Sequence, residues 1–383
     1  MPSQHDGATP LLPLTGVTVL AWEQAVSLPM ATRLLADLGA TVIRLEAHTR
    51  ATRRPRHLAN DLVRNKRSLA VDLRSEQGRG LVRRMVRTVD VLCENFTPRV
   101  KRAFGLTYEA LREERHDLIM LSLTGYGQTG PWAERPTYGP GIESAAGHAR
   151  TGGYPDALPT RPGTIVYADN ISGFYAGLAI LGALHRRRLT GTGESIDLAM
   201  YEANAFHLGI SIAKSSLSGQ PETRRGNADP AASIQGVFES REHERWLAVT
   251  VWPGQEQALT ELLSAPLGSL EAWIRTQDAA AAAAALQAIG IAAAPVLDAH
   301  DVLLSEQLRR REAFSLITHE QPVNDCPAHP HAASPWRFAG HPRPPLHEAP
   351  AVGQDSRMVL RRWAGLDDEA IDRLVAEGVV GVV

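Results

Sequence analysis

Through the first third of the chain, short apolar runs alternate with segments whose apolar residues recur every three or four positions. Gly16-Val-Thr-Val-Leu-Ala-Trp22 is a compact apolar run, the form expected of a strand buried on both faces. Pro29 then opens a helix with Ala31, Leu34, Leu35 and Leu38 on one side. Gly39 ends it, and Thr41-Val-Ile-Arg-Leu-Glu46 forms a second strand. Strand, helix and strand make a βαβ unit, which requires parallel strands. Ser68 to Leu73 predicts a third strand, Gly78 to Val89 a basic helix, and Val91 to Cys93 a further strand. Tyr108 to Arg115 follows as a helix and Leu118 to Leu123 as a strand. Such alternation predicts an open, mostly parallel α/β sheet.

From Thr124 to Gly163 the periodicity stops, and Gly and Pro accumulate: Thr124-Gly-Tyr-Gly-Gln-Thr-Gly-Pro131, Tyr138-Gly-Pro-Gly141, Thr151-Gly-Gly153, Pro155, Pro159, Pro162. Irregular chain of this length inside a domain marks functional loops. It leads into Gly163-Thr-Ile-Val-Tyr-Ala-Asp169. There an apolar approach, Thr164 to Ala168, reads as a strand end that delivers one carboxylate to a nearly uncharged helix, Ile171 to His185. Asp169 has two readings, which do not exclude one another. It is a helix N-cap accepting backbone N–H groups, or a catalytic carboxylate held by helix-end amides.

Glu194 to Met200 predicts a strand that runs into a helix reaching about Lys214, and Ser215 to Asp229 is polar and linker-like. Gly236 to Glu239 and Arg245 to Trp252 predict antiparallel strands of a smaller domain. Gln255 to Leu263 and the alanine run Ala279 to Ala288 predict helices. Ile291 to Leu297 is a short apolar stretch, and Asp301 is placed to cap the next helix. Pro and His crowd an extended segment from Asn324 to Gly353, and Asp367 to Glu377 closes the chain as a helix. The resulting division is a tail (1–13), a large domain (14–205), a linker (206–229), a small α+β domain (230–320) and a segment (321–383) that returns to the large domain.

The 383 residues are 44% hydrophobic, enough for two or three domains. A net charge of −2 gives no global footprint for nucleic acid. Locally, Arg44, Arg50, Arg53, Arg54, Arg56, Arg64 and Lys66 form a basic stretch, suited either to the phosphates of a nucleotide-like ligand or to a solvated loop. Cys93 and Cys326 belong to no ligand pattern, which argues against a zinc site or a disulfide framework. The start lacks a signal-peptide core, and no run of about 18 apolar residues occurs. A cytoplasmic protein without membrane partners is expected. No GxGxxG follows the first strand, so topology alone does not assign a dinucleotide.

Several ordered segments resemble the class III coenzyme A transferases (CaiB/BaiF type). This group holds formyl-CoA, carnitine and bile-acid CoA transferases, with acyl-CoA racemases as relatives. The segments are Leu34-Leu-Ala-Asp-Leu-Gly-Ala-Thr-Val-Ile-Arg-Leu-Glu46, Arg64-Asn-Lys-Arg-Ser-Leu-Ala-Val-Asp-Leu73, Asp90-Val-Leu-Cys-Glu-Asn-Phe-Thr-Pro98 with Gly105-Leu106, Leu123 to Pro131, Tyr167-Ala-Asp-Asn-Ile-Ser-Gly173, Thr190 to Leu198, and Gly226-Asn227. The resemblance spans residues 14–315 and runs more weakly to the C-terminus. It implies a Rossmann-like large domain, a small domain and an interlocked homodimer. It also implies coenzyme A and acyl-CoA as substrates, with a small carboxylic acid and no permanently bound cofactor.

By the same resemblance Asp169 is the catalytic aspartate, attacking the thioester to give a mixed anhydride. The order of the later anhydride and thioester steps stays open. Coenzyme A is expected to meet Arg74, Asn95, Phe96 and Arg102, with Tyr138, Gly125 and Tyr126 alongside and Arg44 or Lys66 as outer candidates. Arg102 is one place off the family's arginine, so Arg99 or Lys101 could replace it, and Phe96 is equally readable as core. Gly125 to Gly130 and Gly226 to Pro230 are candidate oxyanion loops, but Ala228-Asp-Pro-Ala-Ala232 lacks the glycine run of some members, and Val26 stands where some carry glutamine. Tyr138 stands where the racemases carry a second acid/base histidine, which favours transfer over racemisation. His148 is expected to be solvated or structural, and Glu143 to cap a helix or stand in solvent, with a secondary carboxylate role as its alternative. The competing readings are an isomerase of the same family and a non-catalytic CoA-binding protein.

Overall fold

A computed structural model of the chain describes residues 12–47, 56–160, 167–323, 326–339, 341 and 343–383. The chain forms two compact units, one of 1–148, 162–213 and 312–383 and one of 149–161 and 214–311. The elements run β1 (Thr18–Trp22), α1 (Ser27–Asp37), β2 (Thr41–Glu46), α2 (Arg56–Val63), β3 (Arg67–Val71), α3 (Glu76–Val86), β4 (Val91–Glu94), α4 (Pro98–Phe104), α5 (Tyr108–Leu111), β5 (Ile119–Thr124), α6 (Gly139–Ala145), α7 (His148–Thr151), α8 (Tyr167–Thr190), β6 (Glu194–Ala199), α9 (Met200–His207) and α10 (Gly209–Ser218). The second unit then holds β7 (Ile234–Glu239), β8 (Trp246–Val251), α11 (Glu256–Leu263), α12 (Leu270–Ile274), α13 (Ala279–Ala288), β9 (Ala292–Val296), α14 (Ala299–Leu304) and α15 (Glu306–Arg310). The chain ends in the first unit with β10 (Phe314–Val323), β11 (Cys326–Ala332), α16 (Ser356–Trp363), α17 (Asp368–Ala376) and β12 (Val380–Gly381).

The fold is α/β. Seven strands lie in the order β12-β3-β2-β1-β4-β5-β6. All neighbours pair in parallel except β12, which runs antiparallel to β3. Strand order reverses between β1 and β4, and the crevice beyond the carboxyl ends of strands at such a reversal is where open α/β sheets bind ligands. Along β1, Val19 and Ala21 pack into one core with Leu28, Leu35, Ala176 and Ile180. Leu20 and Trp22 pack into the opposite core with Met85, Leu360 and Trp363. Both faces are covered, which is why the first strand reads as a continuous apolar run rather than an alternating one. In the second unit β7, β8 and β9 form an antiparallel sheet, with β8 central.

Several elements depart from the sequence expectations. The Gly/Pro-rich stretch contains α6, which begins at Gly139 with Pro140 in its first turn, a position where a missing N–H costs nothing. Tyr167 and Ala168, read as a strand end, are already helical; Thr164 to Val166 lie outside the described residues. The predicted helix to Lys214 breaks at Leu208, so α10 falls inside the stretch expected to be a linker. Asp298, not Asp301, caps α14; Asp301 is the reciprocal partner three residues on. The Pro/His segment supplies a strand, β11, paired antiparallel with β10.

Helices α1 and α8 approach each other closely at Gly173. A Cβ there would lie 2.7 Å from the Ser27 carbonyl oxygen and 3.0 Å from the Met30 side chain. Gly173→Ala is therefore expected to destabilise the protein by roughly 1–3 kcal/mol through overpacking, overriding the advantage of about 1 kcal/mol that Ala holds over Gly inside a helix. Gly182→Ala in the same helix meets nothing within 4 Å and should be neutral or stabilising. Urea unfolding of both variants checks the contrast.

Candidate active site

Asp169 sits in the first turn of α8 and is 6% exposed. At the third residue of α8 it lies inside the first turn rather than at the position that precedes the helix. The backbone N–H and hydroxyl of Ser27 and the backbone N–H of Gly139 lie near enough to act on its carboxylate and favour its ionised form. Ser27 and Gly139 are the first residues of α1 and α6, and neither helix has a side-chain cap of its own. Two helix N-termini therefore converge on one carboxylate, and each directs otherwise unpartnered amides and the positive end of its dipole at it. The cap reading of Asp169 is thus corrected in detail: the helix ends it faces are those of α1 and α6. Glu143, on α6 and 1% exposed, returns the favour, since its Oε1 accepts the backbone N–H of Ala168 at 3.3 Å. Burial is the main cause that raises the Asp169 carboxyl from 3.8 to about 6, with Glu143 adding to it, while the donors on Ser27 and Gly139 pull it back down. At pH 7 the group is mostly ionised, shielded from water and fixed in orientation.

The packing behind this carboxylate is polar and closed. Asn204, fully buried on α9, donates to the Ala168 carbonyl at 3.3 Å and the Met200 carbonyl at 2.8 Å. Its own carbonyl oxygen contacts Nε2 of His148 at 3.1 Å. His148 also lies edge-on to the Tyr167 ring, so its imidazole is engaged with the protein on both counts. Ser27 and Gly139 are the residues that sequence reasoning missed. Their available signals were Pro29 and Pro140, each of which marks a helix first turn a residue or two after the amide in question.

The other expected residues are spread along the carboxyl edge of the sheet and are engaged with the protein itself. Asn95 follows β4 and bridges the strand-order reversal, exchanging two hydrogen bonds of 2.9 Å with the Gln24 backbone after β1. Phe96 stacks on Trp22 with centroids 4.2 Å apart and packs against the core, which is the core reading. Arg74 is exposed and paired with Asp72 at 2.9 Å. Arg102, on α4, pairs with Glu134 on the surface. Gly125 lies after β5, where an added Cβ would be 2.2 Å from Thr137. Tyr126 packs edge-on to Trp132 at 5.3 Å. Tyr138 immediately precedes Gly139 and is 73% exposed. In the Gly125 to Gly130 loop the Gln128 amide is taken up by Asp197 at 3.0 Å.

The basic stretch of the sequence is partly a buried ion network. Lys66 is fully buried, with Nζ 2.7 Å from Glu23, 2.6 Å from the Thr32 hydroxyl and 3.0 Å from the Pro29 carbonyl. Burial lowers it to about 8, against the pull of Glu23. Arg44 lies 3.4 Å from Glu23 and 3.8 Å from Glu46. Arg64 pairs with Asp37 at 2.8 Å and Asp61 at 2.9 Å. Arg44 and Lys66 are thus corrected as outer phosphate ligands, because their charges are already neutralised inside the protein. Arg50, Arg53 and Arg54 lie outside the described residues. A cavity of about 470 Å³, lined by Lys66, Arg67, Ile317, Glu348 and Asp355 among others, does not include Asp169.

Residues 14–356 match CoA-transferase family III, and the chain belongs to that family. It is a class III acyl-CoA:carboxylate CoA-transferase, one that moves coenzyme A between carboxylic acids. It is similar to the succinyl-CoA–D-citramalate CoA-transferase of Chloroflexus aurantiacus, 27% identical over 97% of this chain and 99% of that protein. It is 36% identical to the succinate–glutarate CoA-transferase of Agrobacterium fabrum over 62% of this chain and 63% of that one. Among solved structures, a CAIB/BAIF family protein from Brucella suis superposes with a TM-score of 0.81 at 27% identity, covering 92% of this chain and all of that one. Among the described residues no helix is long and apolar enough to cross a membrane.

Raising a buried carboxyl from 3.8 to about 6 opposes folding of the ionised form by about 3 kcal/mol. The sign follows from the unfolded chain giving up its proton more readily. The folded state is disfavoured at pH above about 6 and recovers as pH falls toward 4. Asp169→Asn should therefore be more stable than wild type at pH 8, with the difference shrinking at pH 4.5. Denaturant titrations at both pH values measure this.

Proposed function

We propose that Asp169 is the acyl-carrying nucleophile of this transferase. The observation that supports it is a single ionised carboxylate, buried and held by the N-termini of two helices, at the position of the family's aspartate. One Asp169 oxygen attacks the thioester carbonyl carbon, the C–S bond breaks, and coenzyme A leaves as its thiolate. The acceptor carboxylate then attacks the aspartyl carbonyl of the mixed anhydride and displaces the donor acid as its carboxylate. The thiolate finally attacks the new acyl carbon, giving the new thioester and restoring Asp169. Amides at Ser27 and Gly139 hold the carboxylate in orientation through these changes of charge.

Coenzyme A is proposed to lie along the carboxyl edge of the sheet toward Arg74, Asn95 and Arg102, where Arg74 and Arg102 would exchange their acidic neighbours for phosphate. Tyr138, Gly125, Tyr126 and the ring of Phe96 border the same edge. Both named relatives act on succinyl or succinate groups, so short dicarboxylates are the first donors and acceptors to screen. A homodimer is also proposed. Phe174, Leu178, Phe206 and Ile210 on α8 to α10 are large apolar side chains 48% to 74% exposed, a feature that marks an association surface.

Incubation with succinyl-CoA followed by hydroxylamine should leave a mass adduct on Asp169. Asp169→Ala should lose at least about 10³-fold in kcat. For wild type, kcat/KM should fall about tenfold per pH unit below about 6, as the nucleophile is protonated. An active Asp169→Ala enzyme without adduct would overturn the covalent route, and exchange of the α-proton with solvent in the absence of acceptor would move the reading to an isomerase.

A further inference from the structure

The β10–β11 hairpin carries a histidine cluster that the transferase chemistry does not use. Ile317 pairs with His329 and Ser315 with His331, and the register shifts after Thr318. His329 and His331 are two residues apart and so share one face of β11, which is also the face carrying Ile317. His319, two residues beyond Ile317, adds its ring to that face at the register shift. His319 and His331 are 5% and 4% exposed, and His329 is half-buried. Ring centroids lie 4.4 Å apart for His319 and His329, 4.5 Å for His329 and His331, and 5.2 Å for His319 and His331. Each of the three offers one ring nitrogen within 4.8 Å of the other two.

The three imidazoles lie within ligating distance of one another. Nε2 of His319 and Nε2 of His331 are 3.1 Å apart, so one must carry a proton and the other a lone pair. A tetrahedral metal with bonds of about 2.0–2.1 Å to nitrogen separates its ligands by roughly 3.3 Å. The observed spacing is close to that edge. Nδ1 of His319 faces the Glu348 carboxylate at 3.8 Å, the arrangement in which a carboxylate orients a ligating imidazole through its other nitrogen. Glu348 is itself fixed by the Glu320 backbone N–H at 2.9 Å. Arg64, a cation that acts on His331, has its charge balanced by Asp37 and Asp61. A second grouping, Asp298, His300 and Asp301, differs in kind. It is more exposed, and its carboxylates are spent on capping α14 and on Arg245.

We propose that His319, His329 and His331 bind one divalent transition-metal ion, with Zn²⁺ as the best fit, in a three-histidine site that leaves the fourth position to water. Such an ion would cross-link β10 to β11 at the point where their pairing is irregular. The cysteine count could not have signalled this site, because its ligands are all histidine and two strands must pair to assemble them.

The test uses the full-length, untagged chain after treatment with a chelator. Zn²⁺ titrated calorimetrically should bind one per chain at micromolar or lower concentration and raise Tm by several degrees. Co²⁺ should give the visible bands of a nitrogen-ligated site. Because His331→Ala alters a buried position, half-buried His329→Ala and His329→Gln carry the decision. Both should weaken Zn²⁺ at least tenfold and abolish the Tm rise, while His300→Ala changes neither. No stoichiometric Zn²⁺ binding overturns the proposal. So does affinity unchanged in the His329 variants, or affinity lost in His300→Ala instead. CoA transfer by His329→Gln should stay at the wild-type level, which keeps this result separate from the role of Asp169.

Discussion

The contact on which the rest depends is the close passage of α8 against α1 at Gly173. Only a residue without a Cβ lets the Ser27 carbonyl come that near. The same approach brings Asp169, one turn earlier on α8, to the amide and hydroxyl of Ser27. Alone, α1 starts with an unsatisfied first turn, and a buried carboxylate alone would be neutral. Together they resolve each other, and α6 adds a second set of amides through Gly139. Glu143 completes the circuit by accepting the first-turn amide of α8. Two acids thus face the ends of three helices: Glu143 accepts the Ala168 amide of α8, and Asp169 lies in the field of the first residues of α1 and α6.

The second constraint is electrostatic. Charged residues that pack against α1 form compensating sets: Glu23 with Lys66 and Arg44 beyond the end of β1, and Arg64 with Asp37 and the partly exposed Asp61 at the other end of the helix. Such pairs add little net stability against an apolar core. They do fix geometry, because removing one partner leaves the other charged and dry. Lys66 ties the strand-leaving residue Glu23 to Thr32 and the Pro29 carbonyl on α1. The helix that meets Asp169 is therefore anchored to β1 and β3 at its N-terminal turns.

Much of the large domain was legible from pattern. Strands buried on both faces appear as unbroken apolar runs, and their mostly parallel pairing follows from alternation with helices, whereas the strand order and its reversal were seen only in the structure. The α4 helix, by contrast, carries a Pro at its start and a left-handed Gly105 at its end, signals that a search for apolar periodicity passes over. The β11 strand was hidden by its prolines, which read as extended chain rather than as a paired strand.

The sequence by itself determined the family and the α/β class and singled out Asp169 as the candidate carboxylate, because ordered local motifs and burial periodicity are written residue by residue. The tertiary structure decided what Asp169 holds on to, since Ser27 and Gly139 offer backbone amides that no side-chain pattern encodes. It decided that Arg44, Arg64 and Lys66 are neutralised internally, since their partners lie up to 43 residues away along the chain. It also decided that three histidines from two strands share one face, since that depends on a pairing register set after the chain has folded.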